Sequence, residues 1–126
     1  IETLDDLSRS DVLLALAAPG VPLGEYSESM LIAADVEVSP VTFEVDARAV
    51  LAKVTLGEVD AGIVYLTDAK SSNDVEFIRI PQADVVSVEY VALQLSEGSD
   101  RSDEMVLELL GSRGEQALTR QGFVLP

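Results

Sequence analysis

A chain of 126 residues that is 48% hydrophobic is long enough to bury a single-domain core and too apolar to stay disordered. Its formal net charge is −15, from 23 acids against 8 bases, so it lacks the basic face a nucleic acid would neutralise. Cysteine and histidine are both absent, which removes disulfides, thiolate nucleophiles, zinc–cysteine sites and histidine-based acid–base chemistry. No apolar run approaches the roughly 20 residues of a membrane-spanning helix, and no stretch has the pattern of a signal peptide. The start at Ile1 suggests a processed or truncated product.

In chain order, residues 3–8 read as one helical turn with Thr3 as its cap and Asp5 and Asp6 at its positive end. Val12–Ala17 is a continuous apolar run, expected as a buried strand, and Ala18-Pro19-Gly20-Val21-Pro22 is loop. A helix is expected from Leu23 or Gly24 to about Ala34, burying Tyr26, Met30 and Ala33 or Ala34. Val36–Val38 reads as a short strand stopped by Pro40. The chain is organised around the next stretch, Asp46–Ala69. Ala47, Val50, Leu51 and Val54 lie on one helical face, with Asp46 as N-cap and Gly57 at the stop. Gly62–Leu66 is then a short apolar run, suited to a strand buried on both faces of a parallel sheet. The first half therefore reads β-α-β-α-β, an α/β class with parallel strands.

After a polar loop at 70–74, Val75–Ile80 alternates weakly and is expected as a strand. Val85–Leu95 is a long β-branched run, Ser96–Asp103 a polar hinge, and residues 103–110 a helix. Ser112-Arg113-Gly114-Glu115 has the form of a capping box opening a last short helix. Val106, Leu107 and Leu110 are expected to leave an apolar patch unless another chain covers it.

Two loops aim helix starts at the carboxyl edge of such a sheet: Val21-Pro22-Leu23-Gly24 and Val45-Asp46-Ala47-Arg48. Free N–H groups and the positive dipole end make that edge a place for an anion. The hydroxyl of Tyr65, near the end of its strand, adds a neutral donor. The plain alternative is that these helix starts bind water and that Tyr65 is a core residue bonded to a carbonyl. Asp46, Asp60 and Asp68 also admit a reading as a metal cluster or hydrolytic pair. The spacing of a calcium loop is absent, and capping explains each carboxylate. Glycine-rich phosphate loops are absent as well.

Three strings carry a family resemblance: Ala18-Pro19-Gly20-Val21-Pro22-Leu23-Gly24-Glu25-Tyr26, Asp46-Ala47-Arg48-Ala49-Val50-Leu51, and Gly57-Glu58-Val59-Asp60-Ala61-Gly62-Ile63-Val64-Tyr65-Leu66-Thr67-Asp68-Ala69. The chain resembles the molybdate-binding proteins of ABC importers, and the tail from Gly111 to Leu118 with Gly122-Phe123 resembles that family's end. The resemblance implies a periplasmic-binding-protein-like lobe of type II, a mostly parallel sheet flanked by helices with a C-terminal return strand and helices. Residues 1–95 would be the second, ligand-binding lobe. Residues 96–126 would be a hinge and helices packing on a first lobe that precedes this chain. The implied ligand is molybdate or tungstate, held without a cofactor and without direct cation ligands. Leu23 and Ala47 would offer backbone N–H groups and Tyr65 its hydroxyl. The implied partners are an ABC permease and the missing first lobe, not nucleic acid. The implied location is extracytoplasmic, free in the periplasm or tethered by a lipid on a segment outside this chain. No enzymatic role is implied. The rival readings are a small-anion-sensing domain of a regulator and metal-assisted hydrolysis at Asp46, Asp60 and Asp68.

Overall fold

The computed structural model describes residues 1–81, 88–93, 95 and 100–125. Its contacts divide the chain into two units, Ile1–Ser87 and Val88–Pro126.

The first unit is built on β1 (Leu14–Ala17), four apolar residues all buried. It lies at the centre of a three-stranded parallel sheet, with β2 (Thr42–Glu44) on one side and β3 (Ala61–Gly62) on the other. A strand covered on both faces can be apolar throughout, and the alternation of β1 divides the core. Leu14 and Leu16 join Leu4, Leu7, Met30, Leu31, Val36 and Ile63. Ala15 and Ala17 join Leu23, Val50 and Val59. The small alanines let α2 (Ala47–Thr55) approach closely enough to bury Val50 completely.

The helices start and stop for local reasons. Pro22 opens α1 (Pro22–Ala33) at its first position, where a missing N–H costs nothing. The helix ends in a Schellman motif, with Val36 N–H donating to Leu31 O and Asp35 N–H to Ile32 O. Its left-handed residue is Asp35 (φ 55°) in place of the usual glycine. Asp46 caps α2 through Ala49 N–H to its Oδ1 at 2.8 Å, and Gly57 (φ 68°) ends it. The expected N-cap and stop of this helix are thus both present.

Several expectations need correction. The apolar run at 62–66 pairs only at Ala61–Gly62. Ile63 and Val64 stay packed in the core clusters without continuing the ladder, and Leu66 already begins α3 (Leu66–Lys70). Val36–Val38 is not a strand. Val36 is buried because it closes the end of α1, and β2 lies beyond Pro40. Val75–Ile80 forms no strand, and Phe77 and Ile78 are about half exposed (49% and 50%). The N-terminal turn is a 3-10 helix over Asp5–Ser8. There Thr3 does not cap. Its N–H and that of Glu2 instead donate back to Asp6 Oδ2, at 3.0 and 2.8 Å.

Of the expected return strand and hinge, residues 85–87, 94 and 96–99 lie outside the described residues, and 88–93 and 95, in the second unit, form no strand. Two helices, α4 (Asp100–Leu110) and α5 (Ser112–Gln121), pack together and are tied by Arg113 to Glu108 at 3.1 Å. Ser112 is the first helical residue rather than a cap. Glu115 N–H donates to Gly111 O, which makes Gly111 the N-cap. Tyr90 meets Phe123 edge to face at 5.4 Å. Leu107 and Leu110 are exposed, as expected, together with Met105, while Val106 is half-buried. Among the described residues no helix is long and apolar enough to cross a membrane.

Candidate functional site

The strand order β2-β1-β3 means that the chain leaves β1 toward one side and later returns on the other. Such a reversal leaves a crevice outside the carboxyl ends of the strands, the usual ligand position in open α/β sheets. Each strand here feeds a helix at that edge: β1 into α1, β2 into α2, β3 through residues 63–65 into α3.

The start of α1 is pressed against the end of β1. Val21 N–H donates to Ala18 O at 3.2 Å across the Pro19-Gly20 turn, and Ala18 N–H donates to Glu44 O at 2.8 Å. A Cβ on Gly24 would stand 2.1 Å from Ala18 O and 2.9 Å from Ala17 O, so only glycine allows this seat. The first hydrogen bond onto the N-cap is Glu25 N–H to Val21 O. The N–H groups of Leu23 and Gly24 accordingly have no acceptor among the described residues. The same holds in α2, where Ala49 and Val50 N–H bond to Asp46 and those of Ala47 and Arg48 do not. Four donors at two adjacent strand ends are left for a ligand or water.

Leu23, Ala47 and Tyr65 come together around one apolar cluster. Leu23 is a buried member, and Ala47 and Tyr65 pack against it half-buried. Tyr65 is the N-cap of α3 rather than a strand residue. Its ring stands edge-on to that of Tyr26, with centroids 6.5 Å apart. Tyr26 is therefore a half-buried wall beside Tyr65 rather than plain core. Its place one turn into α1, after Pro22, was the sequence signal for this.

The three carboxylates of the hydrolytic reading do not converge. Asp46 follows β2, whose end pairs with the end of β1, whereas Asp60 precedes β3, whose start pairs with the start of β1. Asp60 Oδ2 accepts Leu13 N–H at 2.8 Å at that far edge. No group of three or more metal-ligating side chains occurs among the described residues. Asp68, in the first turn of α3, lies near Asp46 and Arg48. Burial pushes its carboxyl above the ordinary value, Arg48 draws it back, and Asp46 adds to the rise.

The family model described as bacterial extracellular solute-binding protein matches residues 1–124. The chain is 31% identical over 129 residues to the molybdate-binding protein ModA of Mycobacterium bovis and to that of Mycobacterium tuberculosis, covering all of this chain and 49% of each relative. It is 31% identical over 90 residues to YvgL of Bacillus subtilis, a putative ABC transporter substrate-binding lipoprotein, covering 69% of this chain and 35% of that protein. The chain thus spans half or less of the length of the curated relatives it matches. No solved structure matches it. With a family match over almost its whole length and a parallel α/β sheet flanked by helices, the chain belongs to the bacterial extracellular solute-binding proteins.

Proposed function

We propose that this chain is the ligand-binding lobe of an extracytoplasmic protein that captures a tetrahedral oxyanion, molybdate or tungstate, for an ABC importer. The observation that carries it is the pair of helix starts, α1 and α2, whose N–H groups at Leu23, Gly24, Ala47 and Arg48 have no acceptor among the described residues and lie at the cluster that holds Tyr65. Backbone donors and a tyrosine hydroxyl suit a fully ionised oxyanion, because they supply hydrogen bonds without an opposing acceptor. The names of the relatives, a molybdate-binding protein and a putative substrate-binding lipoprotein, support the same reading.

In this reading residues 1–95 form the lobe, and residues 96–126 pack on a first lobe outside this chain. The exposed Met105, Leu107 and Leu110 support such a cover. Leu23 and Ala47 donate through their backbone and Tyr65 through its hydroxyl. The first lobe completes the ligand shell, and closure of the two lobes sets selectivity over sulfate by cavity size and presents the loaded form to the permease. The protein works outside the cytoplasm, free or lipid-tethered, and performs no catalysis.

The test is amide NMR on the chain titrated with molybdate, tungstate, sulfate and phosphate, since half a ligand shell binds weakly. Shifts at Leu23, Gly24, Ala47 and Arg48 are expected with molybdate and tungstate. Tyr65→Phe should weaken them by about 1–3 kcal/mol, the worth of a hydrogen bond to a charged group. No shift at these amides with any oxyanion would remove the function, and the sensor of another small ligand would take its place.

A further inference from the structure

Tyr26 stands two residues beyond Gly24, on the part of α1 that is seated against the end of β1. The buried Ser27 beside it ties the same turn, its hydroxyl donating to Leu23 O at 2.7 Å. Side chains on a helix lean toward its N-terminus, so a ring at position 26 covers the turn that carries the Leu23 and Gly24 N–H groups. That ring meets Tyr65 edge to face, with centroids 6.5 Å apart and planes at 65°, within the range where such pairs attract. The backbone of Tyr65 is held as well, because its carbonyl accepts Asp68 N–H at 3.0 Å and Ala69 N–H at 3.1 Å. With the backbone held, the place of the Tyr65 hydroxyl is set by rotation of its side chain. The half-buried ring packs against the cluster of Leu23, Val50 and Val59, and Tyr26 adds a contact from α1.

A tyrosine hydroxyl lies at the far end of a rigid ring, so a change between the three staggered wells of χ1 carries it several ångströms. A hydrogen bond does not survive such a displacement. We propose that Tyr26 is a positioning residue for oxyanion capture: its ring holds the Tyr65 ring in the one rotamer that presents the hydroxyl to an anion at the Leu23 and Gly24 N–H groups. The contact is between rings, and the Tyr26 hydroxyl takes no part in it. A Tyr65 ring freed into three wells spends about a third of its time in the competent one, and affinity through its hydroxyl falls in proportion, about threefold. This inference deepens the oxyanion reading above and rests on it.

The experiment is molybdate titration by amide NMR into wild type, Tyr26→Phe, Tyr26→Leu, Tyr65→Phe and the double variant Tyr26→Leu/Tyr65→Phe. Scalar couplings of the Tyr65 β protons are measured in parallel, because they read its χ1 populations. Tyr26→Met serves as a second ringless variant should Tyr26→Leu lose the Leu14–Ala17 amide signals of the folded sheet. The expected result is one Tyr65 rotamer in wild type and Tyr26→Phe, with equal affinity, and averaged couplings in Tyr26→Leu, with affinity about threefold weaker. Because Tyr26 acts through the Tyr65 hydroxyl, Tyr26→Leu should cost nothing further once Tyr65 is phenylalanine. A merely structural Tyr26 predicts unaveraged couplings and the same loss in both backgrounds. A Tyr26 hydroxyl that touches the anion itself predicts a loss already in Tyr26→Phe. Either result, or unchanged affinity in Tyr26→Leu, would overturn this inference alone. Absence of molybdate binding in wild type would overturn the oxyanion reading and this inference with it.

Discussion

Replacing Gly24 by alanine sets two well-understood effects against each other. In a helix, alanine is favoured over glycine by about 1 kcal/mol, so propensity alone predicts a more stable protein. The structure predicts the opposite. The new Cβ would meet Ala18 O at 2.1 Å, Ala17 O at 2.9 Å and Ala18 C at 2.9 Å, all backbone atoms. Relief needs a shift of about 1 Å to reach ordinary contact, and neither side yields easily. Ala17 is 2% exposed within β1, and Ala18 holds bonds to Glu44 and Val21. Overpacking costs about 1–3 kcal/mol and a strained hydrogen bond about 1 kcal/mol more. Set against the propensity gain, the net loss is about 2 kcal/mol. Urea unfolding followed through the amide intensities of Leu14–Ala17 reports on the first unit alone. With a typical urea slope of about 2 kcal/mol/M, the midpoint should fall by about 1 M. A midpoint unchanged or raised would refute the close seating of α1 on β1, and with it the placement of the Leu23 and Gly24 amides.

Three further outcomes follow from the same geometry. Asp46→Ala removes the side-chain acceptor of Ala49 N–H and should cost about 1 kcal/mol in the same urea assay. Asp35→Gly replaces a left-handed aspartate at the end of α1 and should stabilise the first unit by about 0.5–1 kcal/mol, read as a raised melting temperature. Because the folded-state pKa of Asp68 is raised above 3.8, its contribution to stability is fully present below that value and is lost as pH rises through the folded pKa. Asp68→Asn should therefore match wild type in acid and become the more stable protein above that window, as measured by thermal melts across pH. Equal melting at every pH would contradict the partial burial of this carboxyl.

Sequence alone determined what is local or compositional. The all-apolar β1, the helices α1 and α2, the Asp46 cap and the Gly57 stop follow from spacing, capping chemistry and runs of burial. Those signals act over a few residues, so they survive without knowledge of the fold. The class of the chain was legible for the same reason, and so was the arrival of Leu23, Ala47 and Tyr65 near one another. Each follows a strand of a parallel sheet, whose carboxyl ends must share an edge.

What only the tertiary structure decided is where apolarity means pairing and where it means packing. Val36 and Ile63 are apolar because they fill the core beside β1, and neither belongs to a ladder. Hydropathy records burial and is blind to hydrogen-bond partners, so both were read as strand. The seating of Gly24, the edge contact of Tyr26 with Tyr65 and the nearness of Asp68 to Arg48 join residues distant in the chain. They depend on how far α1 and α2 slide over the sheet, a distance set by side-chain volumes such as Ala15 and Val50 meeting across the core. No local pattern encodes that distance, because it is fixed only when the faces meet.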